Sequence, residues 1–413
     1  NYKPASIGQR NAITVVMSDK LWKGSVGDKV REKFAAPMVG LITEEPIFTL
    51  RHVPEDIFTG TIKNSRSVLF VQKSDSTSTS YLRKDAYARP QNVAVVIGKT
   101  DEDLIRGLEE KANHFVNSIK GLEIKEAQKG FLRSLSDENP FEEEFGVSMN
   151  IPSVYTLGKR EKNFIWMDRE IRKGNMNIVA YSVPNDYFKS DSTLVRDIIH
   201  MRDSIGEKYI PGSDVPGKKN FMITEKGLSP HINPVEIGGK KAVEVRSRWE
   251  MSAYVMAGPY LTYIINDKEN DRKLVVEGFV FAPATAKRDY MFELESIIKT
   301  IPELERAYMS GNVTSENAVI PELEAENHVY LSDLSLRQQR VINTRMQFIE
   351  CILREGVTVD NAQEEIITLA AELDIPEKET PGVSTVRRWL TKYRASDCQS
   401  ISLMDHRSNV RAE

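Results

Sequence analysis

The stretch NAITVVMSDKLWKGSVGDKVREKF, residues 11–34, sets the character of the first 300 residues. Its opening run, NAITVVM (residues 11–17), is apolar and β-branched, the composition of a buried strand. Ser18 then stands where a helix would start, and Trp22, Val26, Val30 and Phe34 follow at four-residue spacing, which lines one helical face. Strand followed by amphipathic helix is the unit of a mixed fold, in which helices cover a sheet.

Outward from this unit, strand-like runs fall at residues 47–53, 67–72 and 92–98. Thr100 with Asp103 makes a capping-box start for a helix whose apolar face is Leu104, Leu108, Phe115 and Ile119, with Gly121 at its expected end. The polar residues 134–144 read as a hinge or long loop into a second half. There, strands are expected at 153–157, 163–167, 176–183, 241–256, 260–265 and 273–281, and helices at 193–208 and 288–299, with a Gly/Pro-rich loop at 211–219. The expectation is an α+β fold of two mostly antiparallel sheet halves, residues 1–133 and 145–300, each with helices on one face. An acidic linker follows at 301–330, and then an all-α helix-turn-helix domain at 331–413, with helices at 335–355, 361–373 and 384–395. No repeat of fixed period occurs, which excludes solenoids and propellers.

Bulk composition narrows the functional classes. With 413 residues, 40% of them hydrophobic and 28% charged, the chain can bury substantial cores and divides into two or three domains. Its apolar runs are too short for a membrane-spanning helix. A net charge of −4 excludes a surface coated in basic residues, though not a local basic face. Cys351 and Cys398 are too far apart in sequence to imply a zinc site or disulfide framework, and the six histidines never fall at metal-ligand spacing. Walker, GxGxxG and GxSxG patterns are missing. These readings lead to the expectation of no metal, no cofactor and no enzymatic activity. The start at Asn1 rather than Met suggests that something was removed upstream, either a processed leader or a boundary at which the chain was cut.

Three clusters in the first 300 residues invite functional readings and have blander ones. Glu142, Glu143 and Glu144 read as a solvated loop. Arg246, Arg248 and Trp249 alternate with Val243 and Val245, a pattern that suits a ligand groove, or more ordinarily a strand with one wet and one buried face. Tyr254, Tyr260 and Tyr263 surround Gly258-Pro259 as the packing of a hairpin turn would.

The C-terminal signal is sharper. At 100° per residue, Val386, Trp389, Leu390 and Tyr393 share one helical face, while Ser384, Arg388, Thr391 and Ala395 point the other way. Arg387, Lys392 and Arg394 flank that outer face, so residues 384–395 carry four basic residues and no acidic one. Ile366, Leu369, Ala370 and Leu373 stripe a preceding helix. Ser384, Arg387, Arg388, Thr391, Lys392 and Arg394 are therefore the candidate DNA contacts. The alternative is a helical hairpin that binds protein.

Through KPASIGQRNAITVVM, LWKGSVGDKVREKF, EEPIFTLRHV (residues 44–53) and KRDYMFELESII (residues 287–298), residues 1 to about 300 resemble a family of uncharacterised Bacteroidetes lipoproteins, a domain of unknown function. This resemblance implies a lipid anchor upstream of Asn1 and a periplasm-facing envelope location, and it carries over no catalytic residue. Residues from about 302 onward resemble the N-terminal region of Mu-type (TniA/TnsB-like) DDE transposases. That match runs through VYLSDLS (residues 329–335), AAELDI (370–375), STVRRWLTKY (384–393) and SLMDHRSN (402–409). It implies a cytoplasmic module that binds transposon-end DNA, with the catalytic domain expected beyond Glu413. The two resemblances suit different compartments and meet near Ile301, as in a chimera. Two alternatives stand beside a non-enzymatic envelope domain joined to a DNA-binding fragment. One is a ligand-sensing DNA-binding regulator, and the other an enzyme with an unfamiliar site between the two α+β halves.

Overall fold

Residues 11–34 fold into strand β1 (Ala12–Val16) and two helices, α1 (Asp19–Lys23) and α2 (Ser25–Phe34). The Ser18 hydroxyl caps α1 by accepting the Leu21 N–H. The helical periodicity is interrupted at Gly24, where the two helices meet at an elbow. A Cβ on Gly27 would collide with the Trp22 carbonyl oxygen, so the elbow requires glycine there. The computed structural model describes residues 2–41, 43–75, 78–301, 336–353, 357, 361–373 and 375–395.

The first sheet adds β2 (Thr49–Val53), β3 (Ser67–Lys73), β4 (Thr79–Lys84) and β5 (Asn92–Gly98), in the order β2-β1-β3-β5-β4. β1 runs parallel to β2 and β3, and β3 parallel to β5; β4 alone is antiparallel to its neighbour. This corrects the antiparallel expectation for residues 1–133. The reason is legible in β1, β3 and β5, which are near-continuous apolar runs because both faces are covered. Val15, Leu69 and Val96 pack under α2 and the next helix, α3 (Asp101–Phe131). Val16, Val68 and Val93 pack on the other side against Phe58, Ile62 and Phe70.

Helix α3 starts at the expected Thr100/Asp103 capping box but does not stop at Gly121. It continues to Phe131, and Ile124, Ala127 and Phe131 are buried in the core of the second half. Glycine inside a helix costs about 1 kcal/mol relative to alanine, whereas burying each large apolar side chain contributes roughly 1.5–3 kcal/mol, so tertiary packing overrides the stop signal. Residues 134–144 also contain more than a loop: Phe141 and Phe145 of α4 (Pro140–Phe145) are buried.

In the second sheet every pairing is antiparallel. Its strands are β6 (Thr156–Glu161), β7 (Phe164–Ile171), β8 (Gly174–Pro184), β9 (Met222–Thr224), β10 (His231–Ile237), β11 (Lys240–Met251), β12 (Ala257–Asp267) and β13 (Arg272–Phe281). The order is β10-β11-β12-β13-β8-β7-β6, with β9 paired to the far end of β11. Helices cover both of its faces, contrary to the one-face expectation. The end of α3, α4 and α6 (Arg288–Ile298) lie on one side, over Met167, Ile178, Leu261 and Val276. On the other, α5 (Leu194–Tyr209) packs over Phe164, Tyr181, Val245 and Phe279. Central strands such as β12 are consequently buried almost throughout.

Three further helices, α7 (Leu336–Leu353), α8 (Ala362–Glu372) and α9 (Val383–Ala395), pack on one another. Their buried residues Phe348, Ile349, Ile366, Val386 and Leu390 belong to the same apolar cluster as α5, so these helices sit against the α5 side of the second half. The fold is mixed α/β with two sheets and a C-terminal helical region. The acidic stretch 302–327, VYLSDLS with His328, and residues 396–413 with Cys398, His406 and SLMDHRSN lie outside the described residues.

Candidate functional site

Helix α9 turns one face inward and the other to solvent, because apolar residues recur at helical spacing. Val386 is fully buried, Leu390 nearly so and Trp389 partly. The Arg345 guanidinium from α7 stands 5.0 Å from the Trp389 ring centroid. Ser384, Arg387, Arg388, Thr391 and Lys392 are all exposed, which brings these five candidate contacts onto one side of the helix. The Thr391 hydroxyl donates to the Arg387 carbonyl at 3.0 Å. The Tyr393 and Arg394 side chains lie outside the described residues. Between α8 and α9 runs a 3-10 turn, Glu377–Glu379, and the Val383 N–H donates to Gln363 of α8.

The other sequence clusters part company. Tyr254 is exposed, while Tyr260 and Tyr263 are buried on opposite faces of β12, so the three tyrosines form no common surface. Glu143 pairs with Arg160, and Glu144 accepts the Asn163 N–H, which pins the acidic run to the β6–β7 hairpin. Trp249 points to the face of β11 opposite Arg246, and Arg248, on the same face as Arg246, has a partner of its own. Trp249 is buried on the α5 side and donates to the Val280 carbonyl at 3.3 Å, whereas Arg248 pairs with Glu225. Arg246 is on no wet face: it is buried beneath α6, which corrects the reading of β11 as half wet.

Arg246 belongs to a site that lies between the two halves. A cavity of about 310 Å³ opens there, walled by α3 (Lys120, Gly121), the segment after α2 (Met38, Phe48), β11 (Glu244, Arg246), Phe292 of α6 and Lys299 just past its end. Behind it, the buried Glu295 accepts Lys120 at 2.9 Å and Lys299 at 2.7 Å on the same oxygen, Oε1, and Arg246 at 2.7 Å on Oε2. Glu244 takes a bidentate pair from Arg246, at 2.8 and 3.1 Å, and the Tyr263 hydroxyl at 2.7 Å. Burial opposes ionisation of Glu295, but Arg246, Lys120 and Lys299 overcome it and hold the carboxyl well below its usual range. Glu244 is lowered in the same sense, with Arg246 outweighing the burial. The two lysines then diverge. Enclosure by protein, with Arg246 and Lys299 nearby, lowers Lys120 despite its pair with Glu295, although 34% of its side chain remains accessible through the cavity. Lys299 is raised, because Glu295 and Glu244 together outweigh its burial.

Gly121 faces this cavity with open space where a Cβ would stand. The halves that wall it are joined through Glu45, which accepts the Lys287 and Arg288 N–H groups. A second cavity of about 330 Å³ lies where Gln347 and Leu369 of the C-terminal helices meet Asp203 of α5 and the 225–229 loop. Sequence reading passed over Lys120, Glu295 and Lys299. One signal was present, since Glu295 sits on the same stripe of α6 as Met291 and Ile298, where a charged residue requires a buried partner. Among the described residues no cluster of His, Cys, Asp or Glu suits a metal ion.

Fold and cavity together define a two-sheet α/β body built from two docked halves. Residues 6–132 are similar to a family described as Domain of unknown function (DUF8532), and residues 134–300 to one described as Domain of unknown function (DUF4837). Neither description names a lipoprotein, a transposase or a DNA-binding protein, and the matched stretches stop at residue 300. No curated protein matches the chain.

Proposed function

We propose that the chain is a binding protein and not a catalyst: a non-enzymatic, envelope-lipoprotein-type body followed by a helix-turn-helix module that binds DNA of the transposon-end type through α9. The observation that carries the DNA reading is the outer face of α9, where Ser384, Arg387, Arg388, Thr391 and Lys392 are exposed over the buried Val386 and Leu390. In this reading Arg388 and Thr391 meet base edges in the major groove, while Arg387, Lys392 and Arg394 lie near phosphates. The test is retardation of transposon-end DNA by the full chain at low salt. Arg388→Ala should cost about 1–3 kcal/mol and relax sequence preference, whereas Lys392→Ala should weaken binding to every sequence and reduce the salt slope by about one. No retardation at low salt, or no effect of either change, would transfer the face to protein binding.

A second reading, a ligand-sensing DNA-binding regulator, rests on the apolar cluster that α7, α8 and α9 share with α5. Ligand-dependent change in DNA affinity is its signature.

A further inference from the structure

The cavity between the two halves carries an inference independent of DNA binding. We propose that it is a binding site for a small organic monocarboxylate with an apolar body, the carboxylate seated between Lys120 and Lys299. Around the cavity three cationic groups, Lys120, Arg246 and Lys299, face two carboxylates, Glu244 and Glu295. Among the described residues one positive charge is therefore left over, and one anion balances it. Arg246 is committed to both carboxylates, so the surplus falls to the two lysines that share a single Glu295 oxygen. Both lysines line the open space, and charge-assisted hydrogen bonds from them to a carboxylate are stronger than neutral ones.

The apolar body of the ligand follows from the rest of the wall. Met38, Phe48, Ile124 and Phe292 border the same cavity, and about 310 Å³ is at the small end of the range for ligand pockets. Gly121 is the second, independent indication. It lies inside a 31-residue helix, where glycine weakens the structure, yet among the described residues no neighbour within 4 Å requires its lack of a side chain. What its bareness does keep is room beside Lys120.

The test is calorimetric titration and thermal melting of the full chain with octanoate, which joins a carboxylate to an apolar tail, alongside octanol and inorganic phosphate. Octanoate should bind at one per chain and raise Tm, with octanol and phosphate much weaker. Lys120→Met should weaken octanoate by at least about tenfold, as loss of a charge-assisted hydrogen bond does. Gly121→Leu, which fills the cavity without touching a charge, should abolish binding while far-UV circular dichroism stays unchanged. Equal binding of octanol would overturn the role of the lysines, and equal binding of phosphate would overturn the apolar body. Octanoate affinity that survives both substitutions, or no binding of octanoate at all, would overturn the site.

Discussion

Glu295 has almost no accessible surface and is the counter-ion of Arg246, Lys120 and Lys299 at once. Removing its charge leaves three cations facing Glu244 alone, so Glu295→Gln should destabilise the fold by about 3–5 kcal/mol in chemical denaturation, the cost of breaking a buried ion pair from one side. Lys120→Met removes the surplus charge instead, and its denaturation midpoint should hold or rise. His231 gives a pH dependence. It lies opposite Arg246 on β10, its Nδ1 is buried without a hydrogen-bond partner among the described residues, and burial, with Arg246 adding, pushes it down from 6.5 to about 4. Between those values the unfolded chain takes a proton that the folded state refuses. Stability should therefore fall as pH drops from about 6.5 to about 4, by up to about 3 kcal/mol. His231→Gln should flatten that part of the profile, leaving the loss below about 4.5 that follows from the depressed Glu244 and Glu295.

Two helical glycines separate what a pattern reveals from what contacts decide. In sequence, Gly121 and Gly206 look alike, each interrupting a helical stretch. In the structure a Cβ on Gly121 meets open space, and Gly121→Ala should raise stability by about 1 kcal/mol. A Cβ on Gly206 of α5 would collide with the Met222 carbonyl oxygen of β9, so Gly206→Ala should destabilise despite the same gain in helix propensity. Urea midpoints of the two variants should move in opposite directions. Elements with strong local signals were readable: β3, β5, α6 and the Thr100 cap fall where periodicity and capping place them. The strand direction of the first sheet was misread, although its unbroken apolar runs pointed to double cover. The edge strand β4, reading TSYLRK, offered too little hydrophobic alternation to register, and the end of α3 depended on a core supplied by residues far along the chain. The cavity charges were illegible for the same reason, since Lys120, Arg246 and Lys299 converge only after the halves dock.

At the scale of the whole molecule, the two sheets are built and covered largely without α7, α8 and α9. Among the described residues, none beyond Ile301 belongs to the apolar clusters beneath α2 and α6. A chain ending at Ile301 should therefore fold with both sheets and the octanoate site intact, and lose only the cover that the last helices give α5. Heteronuclear NMR can check this: resonances of Val195, Ile199 and the 225–229 loop should shift on truncation, while those around Lys120 and Lys299 stay in place. Wholesale loss of dispersion would make the helices part of a single cooperative unit.

Helix α3 has a mechanical consequence. At 31 residues it is a strut about 46 Å long, anchored at one end beneath the parallel sheet and at the other beneath the antiparallel one. Lys120 and Gly121 lie some two thirds of the way along this span, at the cavity. A molecule lodged there presses on the strut where its two anchorages meet, and any opening of the halves must flex the same stretch. Occupancy and bending stiffness are thereby joined in one element, and pulling on the termini of α3 in a single-molecule trap would register a guest as added resistance to force.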